Sequence, residues 1–286
     1  MISYRLLNKD DFESLHQTLV QAFSDYSLAI NPTIDGLRRM YTIEGVNLDY
    51  SVGAFEDGKM VGFTANAIGD WQGILTAYDA GTGVIPAYRR RGISRGMFDF
   101  LLPFLRSRQI KQYLLEVITK NEPAVRLYQN LGFQIHRDLL VYKRDKAPEL
   151  ENVSRDVMTK EIETPDWKQL ESFLTYLPSW QNSIDSYNRS APDETIKKNI
   201  IGLYLGENLI GYGIVFKNSG NVSQMAVAEE YRHRGFGKIL LNALQKQTEK
   251  PLLLSNIDKK ARETAAFLES NGFELLTTQY EMLLKL

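Results

Sequence analysis

Hydrophobic and polar positions alternate along the chain in a pattern that predicts strands and helices in a regular order. The first half shows a strand near 2–7, helices from Lys9 and near 33–43, a hairpin at 52–63, a strand ending at Val84-Ile85, a helix after Gly92, a strand at 113–118, a helix at 123–130 and a last strand ending in LLVYKR. The helix after Gly92 is the clearest, because Met97, Leu101 and Leu105 recur at helical spacing. The predicted order is β-α-α-β-β-β-α-β-α-β.

The second half repeats this order, which indicates an internal duplication. The hairpin VGAFEDGKMVGF resembles IGLYLGENLIGYG, the turn YRRRGIS resembles YRHRGFG, and the segment LYQNLGF resembles FLESNGF. These matches align three glycine pairs, namely Gly62 with Gly211, Gly92 with Gly235, and Gly132 with Gly272. Their common order predicts two copies of one α/β unit.

A polar, charge-rich stretch, DKAPELENVSRD, separates the two copies. A chain of 286 residues is long enough for about two domains. We therefore predict an N-terminal domain at 1–147, a linker at 148–155 and a diverged C-terminal domain at 156–286. We also expect the halves to form an internal pseudo-dimer with adjoining sheets, which is compatible with a monomeric protein.

Composition narrows the chemistry. The 34 Lys and Arg residues nearly cancel the 35 Asp and Glu residues, so bulk charge gives no support for binding nucleic acid. Cysteine is absent and only three histidines occur, which argues against disulfides, a Cys nucleophile and a metal centre. The sequence shows neither a signal peptide nor an apolar run long enough to span a membrane. We expect a cytoplasmic protein that binds no metal and no membrane.

The repeated Arg-Gly turn is the strongest functional signal. In each copy a strand runs into a basic turn, a glycine and then an amphipathic helix, and backbone N–H groups at such a helix start can bind phosphate or pyrophosphate. The basic residues are Arg89, Arg90 and Arg91 in the first copy. The sequence contains no P-loop, and Gly81-Thr82-Gly83 is not followed by the third glycine of a dinucleotide fingerprint.

Two motifs of the first copy resemble those of the GNAT family, the Gcn5-related N-acetyltransferases. The segment Arg89-Arg90-Arg91-Gly92-Ile93-Ser94 is similar to the family's acetyl-CoA loop, Q/R-x-x-G-x-G/A, except at Ser94, and Arg232-His233-Arg234-Gly235-Phe236-Gly237 matches it fully. The run from Asn121 to Phe133 is similar to the family's second signature, N-x-x-A-x-x-L-Y-x-x-x-G-F. The chain therefore looks like a tandem GNAT protein.

This resemblance implies the fold and the cofactor. Each copy would be a GNAT-like acyl-CoA N-acyltransferase unit, with a mixed, mostly antiparallel sheet flanked by helices and two splayed central strands that receive pantetheine. The cosubstrate would be acetyl-CoA. The expected binding residues are Val84, Ile85, Arg89, Arg90, Arg91, Gly92, Ile93, Ser94 and Asn121 in the first copy, and Met225, Val227, Arg232, Arg234, Gly235, Phe236, Gly237 and Lys238 in the second.

Acyl transfer from a thioester to an amine needs a base, an oxyanion donor and an acid. Glu116, inside an apolar strand, lies where some members of the family place a general base, and Asp79 is the rival candidate. A backbone N–H at Val84 or Ile85 could stabilise the oxyanion. Tyr128 corresponds to the family's general-acid tyrosine, and Asn121 to a residue that contacts pantetheine or orders the acid.

The second copy lacks these groups, because Glu116, Asn121 and Tyr128 correspond to Asn256, Ala261 and Leu268. We therefore favour the N-terminal domain as the catalyst. Two alternatives stay open: catalysis in the C-terminal domain with the other copy in support, and a non-catalytic acyl-CoA-binding module. The segment 178–183 could line an acceptor pocket or cap a helix.

The predicted reaction is direct transfer of an acetyl group to a primary amine in a ternary complex. The acceptor could be a small molecule or a peptide, and the acyl donor could be longer than acetyl. The regions that would select the acceptor, near 22–48 and 176–198, carry no transferable code.

Overall fold

In a computed structural model, residues 1–25, 31–145 and 157–286 are described, and they divide into two units. Unit 1 contains Met1–His136 together with Tyr280–Leu286, and unit 2 contains Arg137–Gln279. The predicted linker at 148–155 lies outside the described residues.

Unit 1 has the predicted element order. Its strands are β1 (Ile2–Leu6), β2 (Val52–Glu56), β3 (Lys59–Trp71), β4 (Ile74–Val84), β5 (Gln112–Ile118) and the start of β6 (Gln134–Arg144). Its helices are α1 (Phe12–Ala22), α2 (Ile34–Glu44), α3 (Ile93–Ser107) and α4 (Glu122–Asn130). Strands β1 to β4 pair antiparallel, whereas β4 and β5 pair parallel.

Helices cover both faces of this sheet. The buried stripe of α3, which includes Met97, Leu101 and Leu105, packs with Tyr113 and Leu115 of β5. The stripes of α1 and α2 pack on the other face, against residues of β3 such as Phe63. Sheet residues alternate between these two layers, so the parity of a position determines which layer it meets.

Unit 2 repeats the order with shorter helices before the hairpin. Its strands are β7 (Val157–Glu161), β8 (Lys198–Leu205), β9 (Asn208–Phe216), β10 (Asn221–Val227), β11 (Leu252–Asp258) and the first half of β12 (Glu274–Lys285). Its helices are α5 (Trp167–Ser172), α6 (Ile184–Arg189), α7 (Phe236–Gln245) and α8 (Arg262–Ser270). The predicted fold class, two tandem units with a mixed sheet flanked by helices, is confirmed.

The last strand of each repeat is used by the other unit. The end of β12 lies next to β5, and Met282 and Leu284 are part of the unit 1 core. The second part of β6 pairs antiparallel with β11, and Leu140 and Tyr142 are part of the unit 2 core. The boundaries of the two units therefore differ from the predicted domains, which end at 147 and begin at 156. Motif spacing cannot reveal this exchange, because both strands have similar apolar patterns.

The two parallel strands of each unit separate toward their carboxyl ends. Pairing between β4 and β5 runs from Thr76 with Gln112 to Asp79 with Leu115, while β4 continues to Val84 and β5 to Ile118. In unit 2, β10 and β11 pair in parallel at Asn221 and Leu253, near the start of both strands. This opening is the splay that the resemblance implied.

Candidate active site

Three candidate side chains, Asp79, Glu116 and Tyr128, lie with Tyr78 where β4 and β5 separate, two of the four on each face of the sheet. Side chains two residues apart in a strand lie on the same face of the sheet. Asp79 comes two residues after Ala77, which packs with α3, so the side chain of Asp79 lies on the α3–α4 face. Tyr78 is adjacent to Asp79 in β4, and Glu116 is adjacent to Leu115, the register partner of Asp79, so both side chains lie on the opposite, α1–α2 face. Because the strands are apart at this level, both faces adjoin the same opening.

The α3–α4 face holds the pair formed by Asp79 and Tyr128. The Tyr128 hydroxyl donates a hydrogen bond of 3.2 Å to Oδ2 of Asp79. The same oxygen accepts from the Thr82 hydroxyl at 2.8 Å, and Oδ1 accepts from the Gly81 backbone N–H at 2.9 Å. Both partners are buried, with Asp79 6% and Tyr128 7% exposed.

Burial raises the pKa values of both residues of this pair. Loss of hydration raises the pKa of Asp79 to about 6, although its hydrogen bonds from Thr82, Gly81 and Tyr128 act in the opposite direction. Burial also raises the pKa of Tyr128 well above its usual value, and the negative charge of Asp79 adds to this shift. The tyrosine is therefore a neutral donor near neutral pH, and the aspartate can exchange a proton there.

The α1–α2 face holds the second candidate base. The Tyr78 hydroxyl donates a hydrogen bond of 2.5 Å to Oε2 of Glu116. Tyr78 is 1% exposed, whereas Glu116 is partly exposed. Burial first, and then the charge of Glu116, raises the pKa of Tyr78 well above its usual value. The two candidate bases, Asp79 and Glu116, therefore lie on different faces of the sheet, and each is hydrogen-bonded to its own tyrosine.

The backbone at the end of β4 distinguishes the two expected oxyanion donors. The Ile85 N–H donates to the Val61 carbonyl at 3.0 Å, so it is engaged within the sheet. Backbone groups of successive strand residues point in opposite directions, which directs the Val84 N–H toward the splay. Of the two, Val84 fits the predicted role.

The Arg-Gly turns have the same backbone conformation in both units. Arg90 and His233 have φ of 60° and 59°, and Gly92 and Gly235 have φ of 75° and 82°. A Cβ added at either glycine would have no neighbour within 4 Å, and neither following helix has a side-chain N-cap. These open, uncapped helix starts fit a pyrophosphate bound by backbone N–H groups.

The first arginine of each turn makes hydrogen bonds within its own unit. Arg89 Nε donates to the Val84 carbonyl at 3.2 Å and its guanidinium also contacts Ala22 and Asp25. Arg232 repeats this arrangement, with Nε donating to Val227 at 2.9 Å and Nη2 to Phe173 at 3.0 Å. Both arginines thus tie the turn to the preceding strand and helix, and their contact with the cofactor stays a prediction.

The third arginines share one contact, with the ring of the tyrosine three residues earlier. Arg91 lies over the Tyr88 ring at 5.2 Å and pairs with Glu56 at 2.6 Å, and Arg234 lies over the Tyr231 ring at 5.7 Å. Among the other expected residues of unit 1, the side chain of Ile93 is buried in the core, so only its backbone can face a ligand, whereas Arg90 and Ser94 remain at the surface of the turn.

Asn121 caps the helix that carries the predicted acid. Its Oδ1 accepts a hydrogen bond from the Ala124 N–H at 3.3 Å, at the start of α4. Ala261 at the corresponding position of α8 provides no such cap. This cap fixes the start of the helix that carries Tyr128, and both roles considered for Asn121 stay predictions.

Unit 2 contains a cavity of about 690 Å³ beside its Arg-Gly turn. Met225, Val227, Arg232, Gly235, Gly237 and Lys238 line it, as do Phe267 and Leu268 of α8. Six of the eight residues expected to bind the cosubstrate in this copy therefore share one cavity. A Cβ on Gly237 would approach the Phe267 ring to 3.0 Å, which explains why this turn has glycine where unit 1 has Ser94.

Acid and base are both replaced in unit 2. Leu268, which is 1% exposed, stands where unit 1 has Tyr128. Strand register places Val222, just before the β-bulge, at the position of Asp79 before its own bulge. Asn256 replaces Glu116 and has φ of 60°, a conformation that asparagine tolerates better than most residues.

A segment of unit 2 closes the face that corresponds to the α1–α2 face of unit 1. The carbonyl of Asn182 accepts from Gln224 Nε2 of β10 at 2.6 Å, and its Nδ2 donates to the Ser255 carbonyl of β11 at 2.8 Å. Asn256 Nδ2 donates to Ser179 Oγ at 3.0 Å. The segment 179–182 thus bridges both splayed strands, and Ser183 caps α6 by accepting from the Ser186 N–H.

The described parts of the chain include no group of three or more His, Asp or Glu side chains placed to hold a metal ion. Within the same ranges, no helix is both long and apolar enough to cross a membrane.

Family comparison agrees with this architecture. The description "Acetyltransferase (GNAT) family" matches residues 12–133, and "Acetyltransferase (GNAT) domain" matches residues 197–275. The chain belongs to the GNAT family. The two matches confirm the tandem arrangement, and each contains the Arg-Gly turn of its own GNAT unit.

Two curated acetyltransferases resemble part of the chain. It is 38% identical over 88 residues to the N-alpha-acetyltransferase RimI of Mycobacterium tuberculosis, which covers 30% of this chain and 52% of that protein. It is 29% identical over 126 residues to the mycothiol acetyltransferase of Acidothermus cellulolyticus, which covers 40% and 38%. The matches thus span about half or less of each relative.

Solved GNAT structures match the chain along its whole length. A GCN5-related N-acetyltransferase from Sphaerobacter thermophilus has a TM-score of 0.76 at 14% identity, covering 99% of this chain and 95% of that one. A tandem GNAT protein from the clavulanic acid biosynthesis pathway has a TM-score of 0.74 at 17% identity, covering 100% and 98%. At these identities the likeness concerns the fold.

Proposed function

We propose that the protein is an N-acetyltransferase that moves an acetyl group directly from acetyl-CoA to a primary amine, with unit 1 as the catalyst. The pairing of Tyr128 with the buried Asp79, at the splay of β4 and β5, is the observation that carries this proposal. Acetyl-CoA supplies the thioester whose C–S bond breaks while the amide C–N bond forms. The chain supplies the binding groups and the proton carriers.

Two protons must leave the acceptor nitrogen. Glu116 takes the first, which converts the ammonium into a nucleophile, because it is the partly exposed carboxylate on the α1–α2 face and can pass the proton to solvent. The Tyr78 hydroxyl holds Oε2 of Glu116 in position. The Val84 N–H stabilises the negative charge that develops on the carbonyl oxygen.

The second proton moves from nitrogen to sulfur through the Asp79–Tyr128 pair. Asp79, with a pKa of about 6, accepts this proton and passes it to the Tyr128 oxygen as the tyrosine gives its own proton to the departing sulfur. Asp79 is a carboxylate before and after the transfer, and Tyr128 never has to exist as a free phenolate. This relay explains why a tyrosine with a raised pKa can act as an acid near neutral pH.

The second unit supports this assignment by what it lacks and what it retains. It keeps the turn conformation and a cavity beside it, but Leu268 and Val222 provide neither acid nor base, and segment 179–182 bridges the face where an acceptor would bind. We therefore propose that unit 2 binds acetyl-CoA or CoA without transferring the acetyl group. We also propose that the protein functions in the cytoplasm and without a metal ion.

A thiol-release assay with the full-length protein tests the proposal. Acetyl-CoA is offered with a panel of polyamines, aminoglycosides, amino acids and peptides, and free thiol is measured for the wild type, Glu116→Gln and Tyr128→Phe. We expect turnover with at least one amine and losses of about 10²-fold in each variant. Separate halves are unsuitable, because each unit contains a strand from the other half of the sequence.

Two outcomes would contradict the assignment in different ways. CoA binding with no amine-dependent thiol release over the whole panel would indicate a binding module. Turnover that survives in both variants would indicate that these residues do not carry the reaction. Tyr50→Phe is a suitable control, because the Tyr50 ring packs on Phe104 at 5.6 Å and the substitution preserves that ring.

A further inference from the structure

Three buried polar residues of unit 1 have no part in the proposed proton transfers. Asn66 of β3 and Tyr113 of β5 are both fully buried, and the Tyr113 hydroxyl donates a hydrogen bond to Oδ1 of Asn66. The hydroxyl of Thr64, which is also fully buried, donates to the same oxygen at 3.4 Å. We call these three residues the Asn66 network.

The Asn66 network lies beside the Asp79 carboxyl, on the α3–α4 face of the sheet. Asn66 is the register partner of Asp79, and directly opposed side chains of an antiparallel pair lie on the same face. Tyr113 is the register partner of Ala77, and both belong to the core that includes the buried stripe of α3. Because β4 lies between β3 and β5, the hydrogen bond from Tyr113 to Asn66 crosses β4 close to Asp79.

The contacts of the Asn66 amide fix the direction of these hydrogen bonds. Its Nδ2 donates to the backbone carbonyls of Tyr50 at 3.0 Å and of Thr64 at 3.3 Å, and a carbonyl oxygen can only accept. The amide oxygen therefore faces the two hydroxyls, and the hydroxyls of Tyr113 and Thr64 must both donate to it. Neither of these two protons is directed at the carboxyl of Asp79.

The direction of these protons matters for the basicity of Asp79. Its carboxyl accepts from the hydroxyls of Tyr128 and Thr82 and from the Gly81 N–H. Each further hydrogen bond to the charged form of a carboxyl lowers its pKa and makes it a weaker base. A carboxyl that has to take a proton from nitrogen is therefore more effective while Asn66 holds the other two hydroxyl protons.

Unit 2 shows that the fold does not require the Asn66 network. Its β9–β10 pair keeps the register shift that the β3–β4 pair of unit 1 has at the same place. The matching registers and helices place a residue without a polar side chain at each position: Val215 for Asn66, Gly213 for Thr64, Met225 for Thr82, Val222 for Asp79, Leu252 for Tyr113 and Leu268 for Tyr128. The network is thus replaced together with the Asp79–Tyr128 pair, in the unit that we propose to be inactive.

We infer that Asn66 is a positioning residue for the proposed reaction. By accepting the hydroxyl protons of Tyr113 and Thr64, it keeps them away from Asp79, whose carboxyl stays free to take the second proton of the amine. This inference rests on the proposed acetyltransferase function and adds a residue to it. Asn66 touches neither the amine nor the thioester in this scheme, and it acts through Asp79.

The pH profile of kcat tests this role with the full-length protein, saturating acetyl-CoA and the amine of highest turnover in the panel. The acidic limb of the profile should lie at about pH 6, where Asp79 titrates. The charge of Asp79 acts on four phenols whose pKa values are all raised, so that they stay protonated in this range: Tyr113, Tyr128, Tyr78 and Tyr41.

Replacing Asn66 with leucine keeps the size of the side chain and removes the accepting oxygen. The freed hydroxyls of Tyr113 and Thr64 then turn to the nearest charged acceptor, the Asp79 carboxylate. We expect the acidic limb to move down by about one pH unit and kcat at neutral pH to fall at least about threefold. The KM for acetyl-CoA should stay within about twofold, because the Arg-Gly turn is not changed.

A second substitution separates this role from a merely structural one. Tyr113→Phe added to Asn66→Leu removes a freed proton and should return most of kcat and the position of the limb, because neither partner of that hydrogen bond is left unsatisfied. Tyr113→Phe alone keeps the ring contacts with Phe98 and Phe133 and should leave the limb unmoved. Asn130→Leu, at an exposed position of α4, is the matched control for the added leucine and should leave the profile unchanged.

The outcomes separate this inference from the function on which it rests. An active Asn66→Leu variant whose limb stays at about pH 6 would overturn the inference and leave the acetyltransferase intact. A loss of kcat that Tyr113→Phe does not restore would overturn it too, since Asn66 would then be structural only.

If Asn66→Leu fails to fold, the single variant Tyr113→Phe decides. A limb that moves to higher pH in this variant would show that the Tyr113 hydroxyl already donates to Asp79, which contradicts the inference, whereas an unmoved limb supports it. If the wild type acetylates no amine while CoA still binds, the proposed function itself fails, and the role of Asn66 fails with it.

Discussion

The Tyr128 hydroxyl contacts the carboxylate of Asp79 across 49 positions of sequence, at a distance of 3.2 Å. This contact joins α4, which carries one GNAT signature, to the strand that leads into the Arg-Gly turn. A phenol and a carboxyl group that share a hydrogen bond can pass a proton between nitrogen and sulfur without forming an isolated buried charge.

Replacing Tyr128 with phenylalanine should lower kcat by about 10²-fold and leave CoA affinity within about twofold. In the proposed reaction the hydroxyl gives its proton to the departing sulfur, whereas the aromatic ring, which packs against Phe98 and Phe133, is preserved. Thiol-release kinetics and calorimetric CoA titration measure the two effects. A normal kcat would remove Tyr128 from the reaction.

The pair also predicts how stability depends on pH. Folding raises the pKa of Asp79 from 3.8 to about 6, so its stabilising contribution is complete below pH 3.8 and is lost as the pH rises through 6. Asp79→Asn does not titrate. Its free energy of unfolding relative to wild type should therefore rise between about pH 4 and pH 7, by up to about 3 kcal/mol, and stay level above.

Urea unfolding at several pH values measures this difference, with Asp49→Asn, at an exposed position, as the control. A flat difference across this range for Asp79→Asn would mean that the carboxyl is not buried as an ionisable group. The same variant should lose at least about 10²-fold in kcat.

The two Arg-Gly turns predict two CoA sites per chain. Valine at Gly92 or Gly235 would place a branched side chain at φ of 75° or 82°, in the open space where a phosphate would approach the backbone. Each variant should therefore reduce the CoA stoichiometry from two to one. Turnover should fall far more in Gly92→Val than in Gly235→Val.

Calorimetric titration of CoA gives the stoichiometry, and thiol release gives the turnover. A larger loss of turnover in Gly235→Val would indicate that unit 2, not unit 1, is the catalyst. A stoichiometry of one in the wild type would show that one of the turns does not bind CoA.

The exchanged strand makes the stability of unit 1 depend on the end of the chain. Met282 is fully buried in the unit 1 core, while Leu275 on the same strand is 50% exposed. Met282→Ala should cost about 2–4 kcal/mol, and Leu275→Ala less than about 1 kcal/mol. Hydrogen exchange should show lost protection in β5, beside which this segment lies. Unchanged protection there would contradict the exchange.

Local signals predicted much of this molecule. The order of strands and helices, the duplication, both Arg-Gly turns and the loss of the tyrosine in the second copy are all readable, because periodicity and motif spacing reflect contacts between near neighbours in sequence. The repeated φ values at 90 and 92, and at 233 and 235, show that similar turn sequences adopt the same conformation in different surroundings.

Other features depend on residues that are distant in sequence. The exchange of the last strands, the engagement of Arg89 with Ala22 and Asp25, and the separation of Asp79 from Glu116 onto two faces were decided by tertiary structure. The last strands of the two repeats, β6 and β12, have similar apolar patterns, so by sequence alone each would fit either core. Only packing in three dimensions determines which core each one completes and which partners each carboxylate meets.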